Sequence, residues 1–291
     1  MEELDLLILG AGWTATFLIP LLTQHRPDLS FAATTTDGRP VADHPTLPFR
    51  FDPADPSNLA ALPRARHILV TFPLKGAGPS AALVRAYTAA HTRGPVGGKT
   101  PFRFIQLGST GIWQPNGPTV AKADDPWISR HSPYDKTNPR AVAEDELLGL
   151  GGVVLNLSGL WGGARDPRTW VGRVGATKDA VKGKKSLHMV HGEDVARGVV
   201  GVIDAKEWRG GERWMLTDGF VYDWWALMVG WGGKGEGEVS EQARWVWELM
   251  EEEGVKGLPR GMEVLGRCYD AAEFWRWVGV VPRRGGLGVG L

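Results

Sequence analysis

An α/β fold with a doubly wound parallel sheet is predicted by three features of this sequence. Short apolar runs recur at residues 6–9, 31–35, 67–72, 102–107 and 153–157, and helical segments separate most of them. The first run, Leu6-Leu7-Ile8-Leu9, breaks at once into Gly10-Ala11-Gly12 and then into a second apolar stretch that reaches Leu22. Alternation of this kind places a helix over one face of the sheet at each crossover, so the strands run parallel and are apolar on both sides.

The first element is strand, glycine turn and helix start within fifteen residues. Pro20 falls inside that first helix, where a missing N–H and a bulky ring kink or shorten it. A second strand at 31–35 follows at the distance expected of a βαβ unit. Residues 28–55 are Pro-rich and polar, and Phe49-Arg50-Phe51 is long enough only for a short third strand. The fourth strand is expected at 67–72, and an Ala-rich helix over 80–92 carries Leu83, Val84 and Tyr87 on one side. After the fifth strand at 102–107, Thr137-Asn138-Pro139 marks a helix start, since Asn caps and Pro suits the first helical position. That helix ends at Gly149, before the strand at 153–157.

Beyond Gly159 the regularity weakens. Gly162-Gly163, Gly172, Gly175 and Lys182-Gly183-Lys184-Lys185 read as loops, followed by a helix over 193–203 and a strand over 213–216. Residues 230–237 hold five glycines and are expected to connect flexibly to a helix over 240–252; the Gly-rich stretch 283–291 is expected to fray. The reading is a nucleotide-binding domain over 1–160 and a smaller substrate lobe over 161–291, with the elements near 188–217 returning to the first domain.

Composition narrows the function classes. The 291 residues carry 33 basic and 33 acidic side chains, so no cationic excess exists to hold a phosphate backbone, and neither nucleic acid nor an anionic membrane is an expected partner. A single cysteine, Cys268, excludes an internal disulfide and a cysteine-based zinc cluster. The start Met-Glu-Glu lacks a basic segment followed by an apolar one, and no apolar run nears membrane-spanning length, so the expected location is cytoplasmic. Nine of the fourteen Trp lie from Trp208 onward and are expected to fill the core.

Gly10-Ala-Gly-Trp-Thr-Ala15 fits G-x-G-x-x-(G/A), the pattern of a dinucleotide-binding turn. Gly10 makes the sharp turn, Gly12 sits where a side chain would strike phosphates, and Ala15 lets the helix pack on the strand. Free amides and the positive end of the helix dipole attract a diphosphate. The expected architecture is therefore Rossmann-like.

Further motifs follow in order: Phe51-Asp52-Pro53, Gly108-Ser109-Thr110-Gly111-Ile112-Trp113, Ala143-Glu144-Asp145-Glu146-Leu147, Gly159-Leu160-Trp161-Gly162, His188-Met189-Val190-His191-Gly192-Glu193-Asp194-Val195-Ala196 and Gly266-Arg267-Cys268-Tyr269-Asp270. With the glycine turn, they span nearly the whole chain. The sequence thereby resembles the extended and atypical branch of the short-chain dehydrogenase/reductase superfamily, the NAD-dependent epimerase/dehydratase type.

The resemblance implies that Gly10, Gly12, Trp13, Thr14 and Ala15 contact the pyrophosphate, that Asp52 lies beside the adenine, and that Phe72, Pro73 and Leu74 border the nicotinamide side of the cleft. Ser109 or Thr110 matches the family's hydroxyl that bonds a substrate oxygen and stabilises charge developing on it. The chain departs from the family's Tyr-x-x-x-Lys: aligned on Ala143-Glu144, Lys136 takes the tyrosine position and Arg140 the lysine position. Arg140 can still bond a ribose, yet a guanidinium is a poor proton shuttle at neutral pH. Tyr134, two residues before Lys136, is the alternative proton donor.

The end of the second strand decides between coenzymes. Thr35, Thr36 and Arg39 favour the 2′-phosphate of NADP, while Asp37 keeps NAD open. His188, His191, Glu193 and Asp194 have a spacing compatible with metal ligands; the resemblance instead has Asp194 cap a helix, and no metal is expected. Three readings remain: an NADP(H)-dependent oxidoreductase or epimerase-like enzyme on a small carbonyl or sugar-like substrate, a catalytically impaired NADP(H)-binding regulator or assembly protein, and a cleft filled by the chain's own Trp13. Related proteins pair through the helices at 80–92 and 137–148; monomer and homodimer both stand.

Overall fold

Leu6, Leu7, Ile8 and Leu9 are all fully buried, which a strand achieves only when both of its faces are covered. The computed structural model describes residues 3–92, 100–114, 125–233 and 238–287. Its centre is a seven-stranded sheet of β1 (Leu4–Leu9), β2 (Phe31–Thr35), β3 (Leu47–Pro48), β4 (Ala65–Val70), β5 (Arg103–Ser109), β6 (Val153–Leu157) and β7 (Arg213–Leu216). The order is β7-β6-β5-β4-β1-β2-β3 and every neighbouring pair is parallel. The chain leaves β3 at one edge and re-enters at β4, on the other side of β1. The switch point of this doubly wound, Rossmann-like sheet therefore lies between β1 and β4, where ligands enter such folds.

Alternation within β1 sorts the core into two layers. Leu6 and Ile8 face α1 (Ala15–His25) and α4 (Gly192–Asp204), joining Leu18, Ile19, Leu22, Val195 and Val199. Leu7 and Leu9 face the opposite way, toward Leu83 and Tyr87 of α2 (Pro79–His91) and Leu147 of α3 (Pro139–Gly149). Each such side chain contributes about 1.5–3 kcal/mol by leaving water.

Several expectations need correction. The third strand is Leu47–Pro48, paired with Thr34 and Thr35. The ladder ends on the bond from the Phe49 amide to the Thr35 carbonyl, 2.8 Å, which frees Phe49-Arg50-Phe51 to leave the sheet. Pro20 neither shortens nor interrupts α1, because the bond it removes would have gone to Thr16, an exposed first-turn residue. Gly172 and Lys182 are helical, within Val171–Val174 and Lys178–Lys182. The start of α3 is as expected: Asn138 caps the Arg140 amide at 3.0 Å and Pro139 is the first helical residue. Trp113, Trp214 and Trp225 fill the core, whereas Trp127 and Trp247 are exposed. Residues 234–237 of the glycine-rich connection lie outside the described residues.

Asp194 does not cap α4. His191 does, its Nδ1 accepting from the Glu193 amide at 3.1 Å. The fully buried Asp194 carboxylate instead accepts from the Arg283 and Arg284 amides at 2.8 and 2.9 Å. The expected fraying therefore does not begin at 283; residues 288–291 lie outside the described residues. Gly286 donates to the Tyr222 hydroxyl, which in turn donates to buried Asp218, so two internal carboxylates hold this segment.

Burial pushes the Asp218 carboxyl up to about 7. The folded state then keeps a proton that the unfolded chain has released, and the associated stability, fully present below the unfolded value of 3.8, is lost as pH rises through 7. Thermal melts between pH 4 and 8 are expected to show a falling Tm that flattens in Asp218→Asn. Equal slopes in both proteins would remove Asp218 as the cause.

Candidate functional site

Gly10 ends β1 with φ +84°, a conformation that favours glycine, and a Cβ there would sit 2.8 Å from Phe72 Cδ1. The turn is pinned to β2 by bonds from the Gly10 amide to Thr34 Oγ1 at 3.0 Å and from the Ala11 amide to the Thr34 carbonyl at 2.6 Å. It is pinned to the residue after β4 by Thr71 Oγ1, which donates to the Gly10 carbonyl. Gly12 differs: a Cβ there would meet only the Gly10 carbonyl, at 3.9 Å. The chain's own packing therefore does not require glycine at 12. The amides of Ala15, Thr16 and Phe17 bond back to 12, 13 and 14, while those of Trp13 and Thr14 have no acceptor among the described residues. Two N–H groups thus stand free at the head of α1, beside a glycine with open space above it. Ala15 is fully buried against the strand.

Beside this turn lies a cleft of about 430 Å³, lined by Gly10, Thr36, Phe49, Phe51, Phe72, Pro73 and Leu74, together with the cations Arg50 and Lys75. These residues come from the carboxyl ends of β1, β2, β3 and β4. Phe51 and Phe72 stack at 6.0 Å. Phe72, Pro73 and Leu74, expected to border the nicotinamide side, thus line this cleft together with Thr36 and Phe51. Phe49, Arg50 and Phe51 are not among the expected binding residues because they read as a strand, and Pro53, Lys75 and Pro79 join them in the lining.

The other expected residues divide. Thr36 faces the cleft, but buried Thr35 turns its hydroxyl to Thr46 Oγ1, 2.8 Å away. Arg39 is exposed and paired with Asp37 at 3.3 Å. Asp52 is not a lining residue; its carboxylate accepts from the Ala54 amide at 2.9 Å, a local turn bond. The Trp13 indole does not fill the cleft. It points to the other lip, donating to the Gly162 carbonyl at 3.0 Å. Thr14 is buried and its side chain caps nothing.

Ser109 closes β5, and its Oγ accepts from the Gly111 amide at 3.1 Å, which leaves its own O–H free to donate. Thr110 cannot serve the same way: it is buried and its hydroxyl donates to the Leu157 carbonyl at 3.3 Å. Tyr134 donates its hydroxyl to Asp145 at 2.7 Å, under the Arg213 guanidinium 4.2 Å from its ring. Burial first, and then the Asp145 carboxylate, raise its pKa. Its proton is thereby committed to a neighbour. Lys136 is exposed and Arg140 half-buried, neither with a side-chain bond among the described residues. Behind Ser109 lies a group that the sequence reading missed: fully buried Glu144 accepts from Arg213 at 3.0 Å and Asn156 at 2.8 Å.

The histidines are structural, His191 as the α4 cap and His188 accepting from the Tyr269 amide at 3.1 Å. Among the described residues no helix is long and apolar enough to cross a membrane.

No family model matches the chain, and no curated protein matches it. Solved structures do share its fold. Vestitone reductase from alfalfa (Medicago sativa) has a TM-score of 0.65 at 17% identity, over 99% of this chain and 96% of that one. RMD from Pseudomonas aeruginosa, complexed with NADPH, has 0.57 at 12%, over 99% and 96%. The dTDP-glucose 4,6-dehydratase of Bacillus anthracis, in complex with NAD, has 0.56 at 12%, over 97% and 92%. At these identities the likeness establishes the architecture.

Proposed function

We propose that this chain is an NADP(H)-binding oxidoreductase of the extended, atypical short-chain dehydrogenase/reductase type, acting on a small carbonyl or sugar-like substrate. One observation carries the coenzyme: free amides at Trp13 and Thr14 beside Gly12, whose open space the protein's packing does not explain, at the switch point of the sheet. The NADPH and NAD complexes of proteins with this fold support a nicotinamide coenzyme.

NADP is favoured over NAD by charge. Asp37, the candidate partner for the ribose hydroxyls of NAD, is committed to the Arg39 side chain and amide. Arg50 and Thr36 line the cleft where a 2′-phosphate would sit. A hydrogen bond to a charged group contributes about 1.5–3 kcal/mol, which is roughly tenfold or more in affinity. Calorimetric titration of Arg50→Ala is expected to show NADPH bound about tenfold more weakly and NADH unchanged. Equal weakening of both, or a wild type that prefers NADH, would overturn the NADP assignment.

When bound, the coenzyme would supply or accept a hydride, and the chain's residues would hold the substrate oxygen. Ser109 is the group suited to this, with a free O–H at the end of β5, and it would stabilise charge developing on that oxygen. With the Tyr134 hydroxyl committed to Asp145, Lys136 or water is left to pass the proton.

That commitment favours a second reading, an NADP(H)-binding regulator or assembly protein without turnover. NADPH oxidation followed by absorbance across a panel of carbonyls separates the two. Turnover with any member supports the oxidoreductase; confirmed NADPH binding with none supports the regulator.

A further inference from the structure

The chain that follows β6 meets the head of α1 in a small turn beside Trp13. Residues 162–165 form a tight hairpin, with Gly162 and Arg165 exchanging backbone bonds of 2.9 and 3.1 Å. Both glycines have positive φ, +104° at Gly162 and +55° at Gly163, a turn that side chains oppose. The hairpin rests on α1. The Gly162 carbonyl accepts from Trp13 Nε1 at 3.0 Å, and a Cβ on Gly163 would be 3.3 Å from Phe17 Cζ. Arg165 is then held with its guanidinium 4.5 Å from the centre of the Trp13 ring.

Arg165 is exposed and has no carboxylate partner among the described residues, whereas nearby Arg168 is paired with Asp166 at 2.9 Å. Its planar cation is stacked on the residue whose own amide is one of the two free donors of the turn. A positive charge in that position has no carboxylate partner among the described residues to explain it, and it lies against the indole of a residue of the turn where a dianionic group would be gripped.

We propose that Arg165 is a coenzyme-binding residue: stacked on Trp13, it carries the 162–165 hairpin over the glycine turn and donates to the diphosphate from the lip opposite the turn amides. The proposal rests on the NADP(H) reading. It gives the lobe a direct part in holding the coenzyme, and it explains why a tryptophan stands immediately after Gly12.

The test is calorimetry on the full chain and on Arg165→Gln and Arg165→Ala, with NADPH and with adenosine 2′-monophosphate, which lacks the diphosphate. Both variants are expected to bind NADPH about tenfold more weakly and with a shallower salt dependence. Adenosine 2′-monophosphate is expected to bind all three proteins alike. Unchanged NADPH affinity, or equal weakening of both ligands, would overturn the clamp while the coenzyme reading stands. A wild type that binds no NADPH would instead remove the coenzyme reading itself.

Discussion

Replacing Gly12 with alanine is expected to weaken NADPH binding by roughly 5- to 150-fold, the 1–3 kcal/mol typical of one methyl group forced into a packed contact. Stability is expected to stay within about 0.5 kcal/mol of the wild type. The two halves of this expectation come from one measurement of space. At Gly12 the new Cβ would have a single neighbour, at 3.9 Å, so the folded protein alone accommodates it. A diphosphate on the Trp13 and Thr14 amides would not, because it would sit beside Gly12, in the space the new methyl group takes. Gly10→Ala is the contrasting control. Its φ of +84° and a contact of 2.8 Å with Phe72 predict a loss of stability as well as of binding. Urea denaturation and calorimetry on both variants separate the cases. If Gly12→Ala binds NADPH as the wild type does, the turn is not the phosphate site.

What the sequence makes legible here is what is local. The turn, the start of α3 and the strands β1, β2, β6 and β7 are each specified within about fifteen residues by apolar runs, capping side chains and glycine, and they are found within a residue or two of their expected places. Hydroxyls are another matter. Thr35 and Thr110 have the residue type a binding site wants, yet a single side-chain torsion turns both inward, toward Thr46 and the Leu157 carbonyl. No pattern in the sequence records that torsion. Arg50 is hidden for the opposite reason: Phe-Arg-Phe alternates like a strand, and only the end of pairing after Pro48 sends it to the cleft. The Glu144–Arg213 pair joins positions 69 residues apart, one on a helix and one within an apolar strand, and such a meeting is specified by topology alone.

That pair carries the largest expected effect on stability. Arg213→Met is expected to cost about 3–5 kcal/mol, because it leaves a buried carboxylate without its counter-charge. Glu144 is fully buried and Arg213 is 7% exposed. One arm of the guanidinium meets Glu144 at 3.0 Å and the other meets Asp145. Burial already raises the Glu144 pKa, and loss of Arg213 raises it further. The sign follows: the folded variant holds a proton that the unfolded chain has released above 4.5, so its deficit widens as pH rises. Urea denaturation at pH 5 and pH 8 is expected to find the variant closer to the wild type at pH 5. Adding Glu144→Gln, which keeps an oxygen for Asn156 and removes the charge, is expected to restore much of the loss. A cost below about 1 kcal/mol, equal at both pH values, would show that Glu144 is not charged in the fold. The consequence reaches the site, since Asn156 donates to the Ser109 carbonyl at 3.2 Å as well as to Glu144. The same buried charge that stabilises the sheet therefore also fixes the backbone that presents the Ser109 hydroxyl.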